Sequence, residues 1–324
     1  MWLTALCGAA GDFQRGNAAL AVALSRSFVE QAGSTLDDDA TRQGLASVQW
    51  PGRAQLVDLP ASDGHPRVTL ALDGAHTSKS VECAAQWFVQ LVRSLQAESP
   101  ATRVRCVLLF NCGYGKFPEK LLLAIAQATD AVGSEGSDAG RVHFEHAVFA
   151  PFDFGKPTRA APPTAAELVA LLPTKYQTGA AALPAADASL PCPFQRALAQ
   201  TWSVLARSHN PDCDVGTTVL PSMRDAVVAV APQAHVQPRP RSGSLNESNP
   251  VGLGEATEAG GVTAQRDADS SVAATVPHFN RDDHVVVFGT GSLYLVGNVL
   301  EALGWDVDRN GFGTKATVSL SSHK

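Results

Sequence analysis

A chain of 324 residues, 45% of them hydrophobic and 17% charged, carries enough apolar material for a core spread over one or two domains of ~100–200 residues each. Its formal net charge of −6 excludes the basic footprint that neutralising a nucleic-acid backbone requires, and no apolar run approaches the ~20 residues of a membrane-spanning helix. The charged share lies below the ~25% typical of globular domains, which implies long uncharged loops.

Met1 to Ala10 is apolar but lacks a charged start. It matches neither a secretory signal nor an Arg-rich transit segment, and reads as an element cut from the interior of a longer structure. From Asn17 to Val29 the residues Ala18, Leu20, Ala21, Leu24 and Phe28 recur at helical spacing, after the start signals Gly11, Asp12 and Gly16. Asp37, Asp38 and Asp39 read as a polar loop. In Trp50-Pro51-Gly52-Arg53 the Pro-Gly pair forces a turn, and a domain boundary is expected there.

Beyond the turn, short β-branched runs repeatedly give way to a Gly-containing loop and then to a helical pattern, which is the signature of parallel βα units. Val68 to Leu72 leads into Asp73-Gly74-Ala75-His76-Thr77 and a helix to about Leu95, on which Lys79 reads as a surface residue. Val104 to Phe110 leads into Asn111 to Lys116 and a helix over Pro118 to Ala128. His146 to Ala150 is a third strand and Ala226 to Ala231 reads as a fourth. His284 to Phe288 leads into Gly289-Thr290-Gly291-Ser292 and a last helix to Leu303. The strands are continuously apolar, as strands covered on both faces are. The expected fold is therefore α/β, an open doubly wound sheet that binds ligands at the carboxyl ends of its strands. Residues 155–190, with one helical patch near Glu167 to Leu172, and 232–277 read as low-complexity insertions, the second too poor in large apolar residues to offset the entropy of ordering it.

Cys7, Cys83, Cys106, Cys112, Cys192 and Cys213 include no CxxC pair and no Cys/His spacing that would wrap zinc tetrahedrally. They read as reduced thiols. The chemistry-bearing motif is Asp73-Gly74-Ala75-His76, expected on an exposed strand-end loop just before a helix whose N-terminus offers backbone donors to an anion.

Five blocks in order carry a resemblance. These are Gln14-Arg15-Gly16-Asn17-Ala18-Ala19-Leu20-Ala21, Trp50-Pro51-Gly52-Arg53, Leu72-Asp73-Gly74-Ala75-His76-Thr77, Leu108-Leu109-Phe110-Asn111, and Thr290-Gly291-Ser292-Leu293 with Leu295-Val296-Gly297. Together they resemble the C-terminal part of the folylpolyglutamate synthases, ligases of Mur type. The resemblance implies a Rossmann-like C-terminal domain over 67–324 with the two insertions, an interdomain linker and first segment over 45–66, and a terminal remnant of the central ATPase domain over 1–44. It further implies that ATP and magnesium act as cofactors while L-glutamate is added to the γ-carboxylate of tetrahydrofolyl-(poly)glutamate through an acyl phosphate. A monomer, in the cytoplasm or mitochondrion, is expected, with any targeting segment preceding Met1.

By the same resemblance, Asn17 and Gln14 face adenine and Arg53 reaches phosphate. Asp73 meets the nucleotide side, and His76 meets the incoming glutamate or reacting carboxylate, these two being the catalytic pair. Ser292 either contacts the ligand or caps a helix. Three positions depart from the family pattern: Phe13 stands where His is common, Gly115-Lys116-Phe117 replaces an acidic-Arg-acidic run, and Tyr294 replaces a frequent His. No GxxxxGK[ST] occurs in the sequence, so the triphosphate cradle and the magnesium ligand are expected outside this chain. A half-enzyme completed by a separate P-loop chain, or a non-catalytic nucleotide- or folate-binding remnant, is the alternative expectation.

Overall fold

In the computed structural model, which describes residues 13–48, 50–62, 64–130, 141–152, 161–177, 183–184, 187, 189–209, 215–234, 277–305 and 315–317, the apolar runs pair into one sheet. Its strands are β1 Gln55–Leu59, β2 Arg67–Leu72, β3 Val104–Phe110, β4 Phe144–Phe149, β5 Gly216–Val219, β6 His284–Thr290 and β7 Lys315–Thr317, in the order β5-β4-β3-β6-β2-β1-β7. The run from β5 to β2 is parallel throughout, whereas β1 lies antiparallel to β2.

Two helical layers cover this sheet, as a doubly wound fold requires. On one face α3 Ser78–Glu98, α4 Pro118–Asp130, α5 Ala165–Ala170 and α6 Pro193–His209 pack around Phe88, Phe110, Phe149 and Phe288. The rings of Phe88 and Phe288 stack at 4.8 Å. On the other face α7 Met223–Val230 and α8 Leu293–Ala302 bury Leu70, Leu109, Val287 and Val299. Every residue of β6 is buried, because β6 lies in the middle of the sheet with a layer on each side.

Several expectations change here. Ala226 to Ala231 is not a strand: it falls in α7, whose buried residues Met223, Ala226, Val227 and Val230 repeat at i, i+3, i+4 and i+7. The β-branched content concealed a helical period, and Ser222 caps the start by accepting from Asp225 N. Asp37 is likewise an N-cap rather than plain loop, accepting from Ala40 N at 2.8 Å to open α2, Asp38–Ser47. The stretch 155–190 contributes to the core, since Leu168, Val169, Leu172 and Tyr176 are buried against α6 and its neighbours behind a Thr164/Glu167 capping box. Of 232–277, all but residues 232–234 and 277 lie outside the described residues, as do Met1 to Ala10, Cys7 and Cys213. Cys83, Cys106, Cys112 and Cys192 are free thiols. Among the described residues no helix is long and apolar enough to cross a membrane.

The chain begins its described part with α1, Phe13–Gln31, which buries only Ala18 and Val22. Its larger apolar residues Leu20, Leu24 and Phe28 lie one turn apart and face outward, 60%, 62% and 74% exposed. An ion pair of 3.1 Å between Arg26 and Asp38 ties α1 to α2.

Two histidines are embedded in the sheet as neutral rings. His146 on β4 meets Thr218 Oγ1 at 2.8 Å, and burial pushes its pKa down to about 4. His284 on β6 meets Thr69 Oγ1 at 2.8 Å, and burial together with the charge of Arg67 lowers it against the opposing pull of Asp58. A lowered histidine pKa means that the unfolded chain binds more protons, so the stabilisation is complete above the ordinary value of about 6.5 and is lost as pH falls toward 4. The midpoint of urea unfolding is expected to fall between pH 7 and pH 4.5, with a shallower fall in His146→Asn. A midpoint that is level over this range in the unsubstituted chain would contradict the assignment.

Candidate functional site

The turn after α2 sets the geometry. Pro51 supplies the fixed φ of the second turn position and Gly52 the positive φ of the third, +75°, while Arg53 N donates to Trp50 O at 3.1 Å. These are the marks of a type II turn. Gly52 N is held by Gln55 Oε1 at 2.8 Å, and its carbonyl accepts from Gly74 N at 2.8 Å. The linker is thereby stitched to the loop that leaves β2.

Asp73 completes that stitch. Its Oδ2 accepts from Ala54 N at 2.8 Å and its Oδ1 from Ala75 N at 2.9 Å, while Arg53 Nη1 stands 3.9 Å from Oδ1. The residue is only 3% exposed, so the expectation of an exposed loop position is corrected. The carboxylate points into the junction because two backbone donors and a guanidinium converge there. Burial pushes its pKa above the ordinary value, opposed by the Ala54 N–H, the Arg53 charge and the Ala75 N–H.

Gly74 matters for packing rather than for φ. A Cβ there would stand 2.2 Å from Leu293 Cδ2 and 3.0 Å from Arg53 Nη1, so glycine lets the start of α8 and the arginine close over the loop. That loop is also fixed to β6, with Asp73 N donating to Gly289 O at 2.9 Å and Gly291 N donating to Ala75 O at 3.1 Å.

His76 is half-buried at the next position. Its Nδ1 lies 3.0 Å from Gly74 O, and a carbonyl can only accept, so Nδ1 carries the proton and neutral His76 presents a bare Nε2. The backbone donors at the start of α3 are less open than the sequence implies. Thr77 and Ser80 form a capping box, and Ser80 Oγ also takes His76 N and Thr77 N at 3.2 and 3.0 Å.

Arg53, Asp73 and His76 line one cleft of about 740 Å³, to which α1 and α2 also contribute residues. Gln14, Asn17, Arg53, Asp73 and His76 all border it, along with Phe13, Val48, Trp50, Lys79 and Cys83. Asn17 Nδ2 donates to Gln14 Oε1 at 2.8 Å, which leaves Asn17 Oδ1 as a free acceptor beside Gln14 Nε2 as a free donor. Trp50, Lys79 and Cys83 were not singled out as site residues. Trp50 belongs to a motif marked in the sequence by its turn and its family resemblance rather than by its indole, and an exposed helical lysine carries no local signal of a cleft. Lys79 pairs with Glu82 at 3.1 Å, which raises its pKa.

Ser292 is not brought to this cleft. It is 8% exposed and caps α8, its Oγ accepting from Tyr294 N at 3.1 Å. Asn111 is also buried and accepts from Gln195 Nε2 at 3.2 Å. Taken together, the cleft offers an apolar aromatic wall, an amide pair, a planar cation and an imidazole with one nitrogen open. No group of three or more His, Cys, Asp or Glu side chains among the described residues could hold a metal ion.

No family model matches the chain. Among curated proteins it is 30% identical over 156 residues to the folylpolyglutamate synthase of Candida albicans, covering 44% of this chain and 28% of that protein. It is 26% identical over 342 residues to the folylpolyglutamate synthase of Arabidopsis thaliana, covering 91% and 47%. To the mitochondrial folylpolyglutamate synthase of Homo sapiens it is 31% identical over 137 residues, covering 36% and 22%. The chain thus spans less than half the length of each of these relatives. Among solved structures, the Mycobacterium tuberculosis folylpolyglutamate synthase complexed with ADP and AMPPCP aligns with a TM-score of 0.43 at 17% identity, covering 92% of this chain and 41% of that one. A murein peptide ligase of Psychrobacter arcticus aligns with a TM-score of 0.30 at 10% identity, covering 82% and 32%. The chain is thus similar in sequence to folylpolyglutamate synthases of fungal, plant and animal origin, over part of their length.

Proposed function

We propose that this chain is the C-terminal part of an ATP-dependent ligase that adds L-glutamate to the γ-carboxylate of tetrahydrofolyl-(poly)glutamate. The observation that carries the reading is the single cleft that joins the Gln14/Asn17 amides of α1 to Arg53, Asp73 and His76 at the carboxyl edge of the sheet. An apolar wall, an amide pair and a guanidinium fork suit a nucleotide's base and phosphate.

Within that reading ATP supplies the phosphoryl group that activates the folate carboxylate as an acyl phosphate. Arg53 holds phosphate oxygens, and Asp73 acts through Arg53 and the loop, as a positioning residue. His76 Nε2 takes a proton from the incoming glutamate amine, because His76 borders the cleft and its other ring nitrogen, Nδ1, is held by Gly74 O. Closing α1 and α2 over the cleft excludes water from the reacting carboxylate. Magnesium and the triphosphate are held by a P-loop domain outside this chain. The exposed stripe Leu20, Leu24 and Phe28 supports α1 and α2 as the terminal remnant of that domain, since a contiguous apolar face is normally covered. The complete enzyme works as a monomer in the cytoplasm or the mitochondrion.

The experiment is glutamate incorporation into tetrahydrofolate with ATP and magnesium. The chain alone is expected to form no product, and the same chain joined to an upstream P-loop domain of a folylpolyglutamate synthase is expected to form it. ATP-dependent product from the chain alone, in a preparation free of host enzyme, would refute the division of labour. No product from the joined protein would refute the ligase reading.

A further inference from the structure

We infer that Trp50 is the stacking surface for the nucleotide base, and that the Trp50-Pro51-Gly52-Arg53 turn grips a nucleotide at both ends, base on the first residue and phosphate on the last. The inference rests on the nucleotide reading of the cleft and adds a residue to it.

Trp50 is 65% exposed, although an indole is among the side chains that gain most from burial. It borders the cleft, as do Val48 and Phe13. The same cleft is bordered by the Gln14 and Asn17 amides, whose free donor and free acceptor can meet the hydrogen-bonding edge of a base. A flat aromatic wall beside an edge-reading amide pair is the arrangement that takes a planar heterocycle, face on the indole and edge on the amides.

The turn accounts for the spacing. Trp50 and Arg53 are its first and fourth residues, joined by the Arg53 N to Trp50 O hydrogen bond of 3.1 Å, so their Cα atoms lie within about 7 Å. Pro51 and Gly52 make that separation rigid. Asp73 then holds Arg53 by the ion pair of 3.9 Å, which orients the fork before any ligand arrives. One short turn therefore carries a base platform and a phosphate cation at fixed separation, with the ribose spanning between them. The same turn that the sequence marks as a domain linker is on this account a recognition element.

The test uses the purified chain titrated calorimetrically with two probes, ADP and inorganic pyrophosphate. Trp50→Ala is expected to weaken ADP about tenfold, in line with the contribution of one stacked base, and to leave pyrophosphate within twofold. Trp50→Phe is expected to restore ADP binding to within about threefold, because it keeps an aromatic face. Arg53→Ala is expected to weaken both probes. Equal ADP affinity in Trp50→Ala and the unsubstituted chain overturns the stacking role while leaving the nucleotide reading intact. An equal loss for both probes in Trp50→Ala, with circular dichroism unchanged, also overturns it, since the residue then supports Arg53 rather than the base. No ADP binding by the unsubstituted chain at millimolar ligand overturns the nucleotide reading and the stacking role with it.

Discussion

Replacing Asp73 by alanine is expected to lower the unfolding free energy by about 2–4 kcal/mol, because it strands two buried backbone donors, each costing about 1–3 kcal/mol when left unpaired. Those donors are Ala54 N and Ala75 N, held at 2.8 and 2.9 Å by the two oxygens of one carboxylate. Ala54 itself is buried with φ of +45°, a conformation unfavourable for alanine that the Asp73 carboxylate helps to hold. Asp73→Asn keeps one acceptor oxygen and is expected to lose about half as much. Urea unfolding at pH 7 reads both. The substitution should also weaken phosphate binding, since Arg53 loses its buried partner. A Asp73→Ala chain within about 0.5 kcal/mol of the unsubstituted one would show that the junction is held by other contacts.

His76→Ala is expected to lower glutamate incorporation more than ~10-fold, at least about 1.4 kcal/mol of transition-state stabilisation, in a protein where the upstream P-loop domain has been restored. The prediction separates cleanly from that for Asp73. His76 is half-buried and its ring makes one internal hydrogen bond, to Gly74 O, so its loss should leave the unfolding midpoint nearly unchanged. Arg53→Ala is expected to match the loss of activity, and Arg53→Lys to recover little of it, because an ammonium is a point charge where a planar fork is needed. Lys79 borders the cleft and is a poor surface control for this series; Gln96→Ala, on the exposed face of α3, is expected to be neutral. Full activity in His76→Ala would assign the imidazole to loop geometry alone.

Much of this protein is local and therefore legible in one dimension. The βα units announce themselves because a fully covered strand must be continuously apolar and because its exit loop needs glycine. Val68 to Leu72, Val104 to Phe110 and His284 to Phe288 each fall within or coincide with an observed strand. The Pro51-Gly52 turn is legible for the same reason, since its backbone angles are set by the two residues themselves. Failures occurred where local chemistry conflicts, as in α7, whose valines favour a strand while their spacing favours a helix. The buried face of α6, with Phe194, Leu198, Trp202 and Leu205 at helical spacing, has a helical period but adjoins residues 155–190, whose composition is that of an insertion.

What the sequence by itself determined is the βα units that begin with β2, β3 and β6, the Pro51-Gly52 turn and the residue types at those strand ends, because these follow from period and turn chemistry within a few residues. Only the tertiary structure decided the rest. It slots β6 between β3 and β2 although some 174 residues separate it from β3, reverses β1 against β2, buries Ser292 as a cap and turns Asp73 inward. It also brings Trp50, Arg53, Gln14 and Asn17 to the border of one cleft. Each of these depends on which distant backbone groups and side chains meet, and a carboxylate finds its role from donors that chain neighbours alone cannot supply.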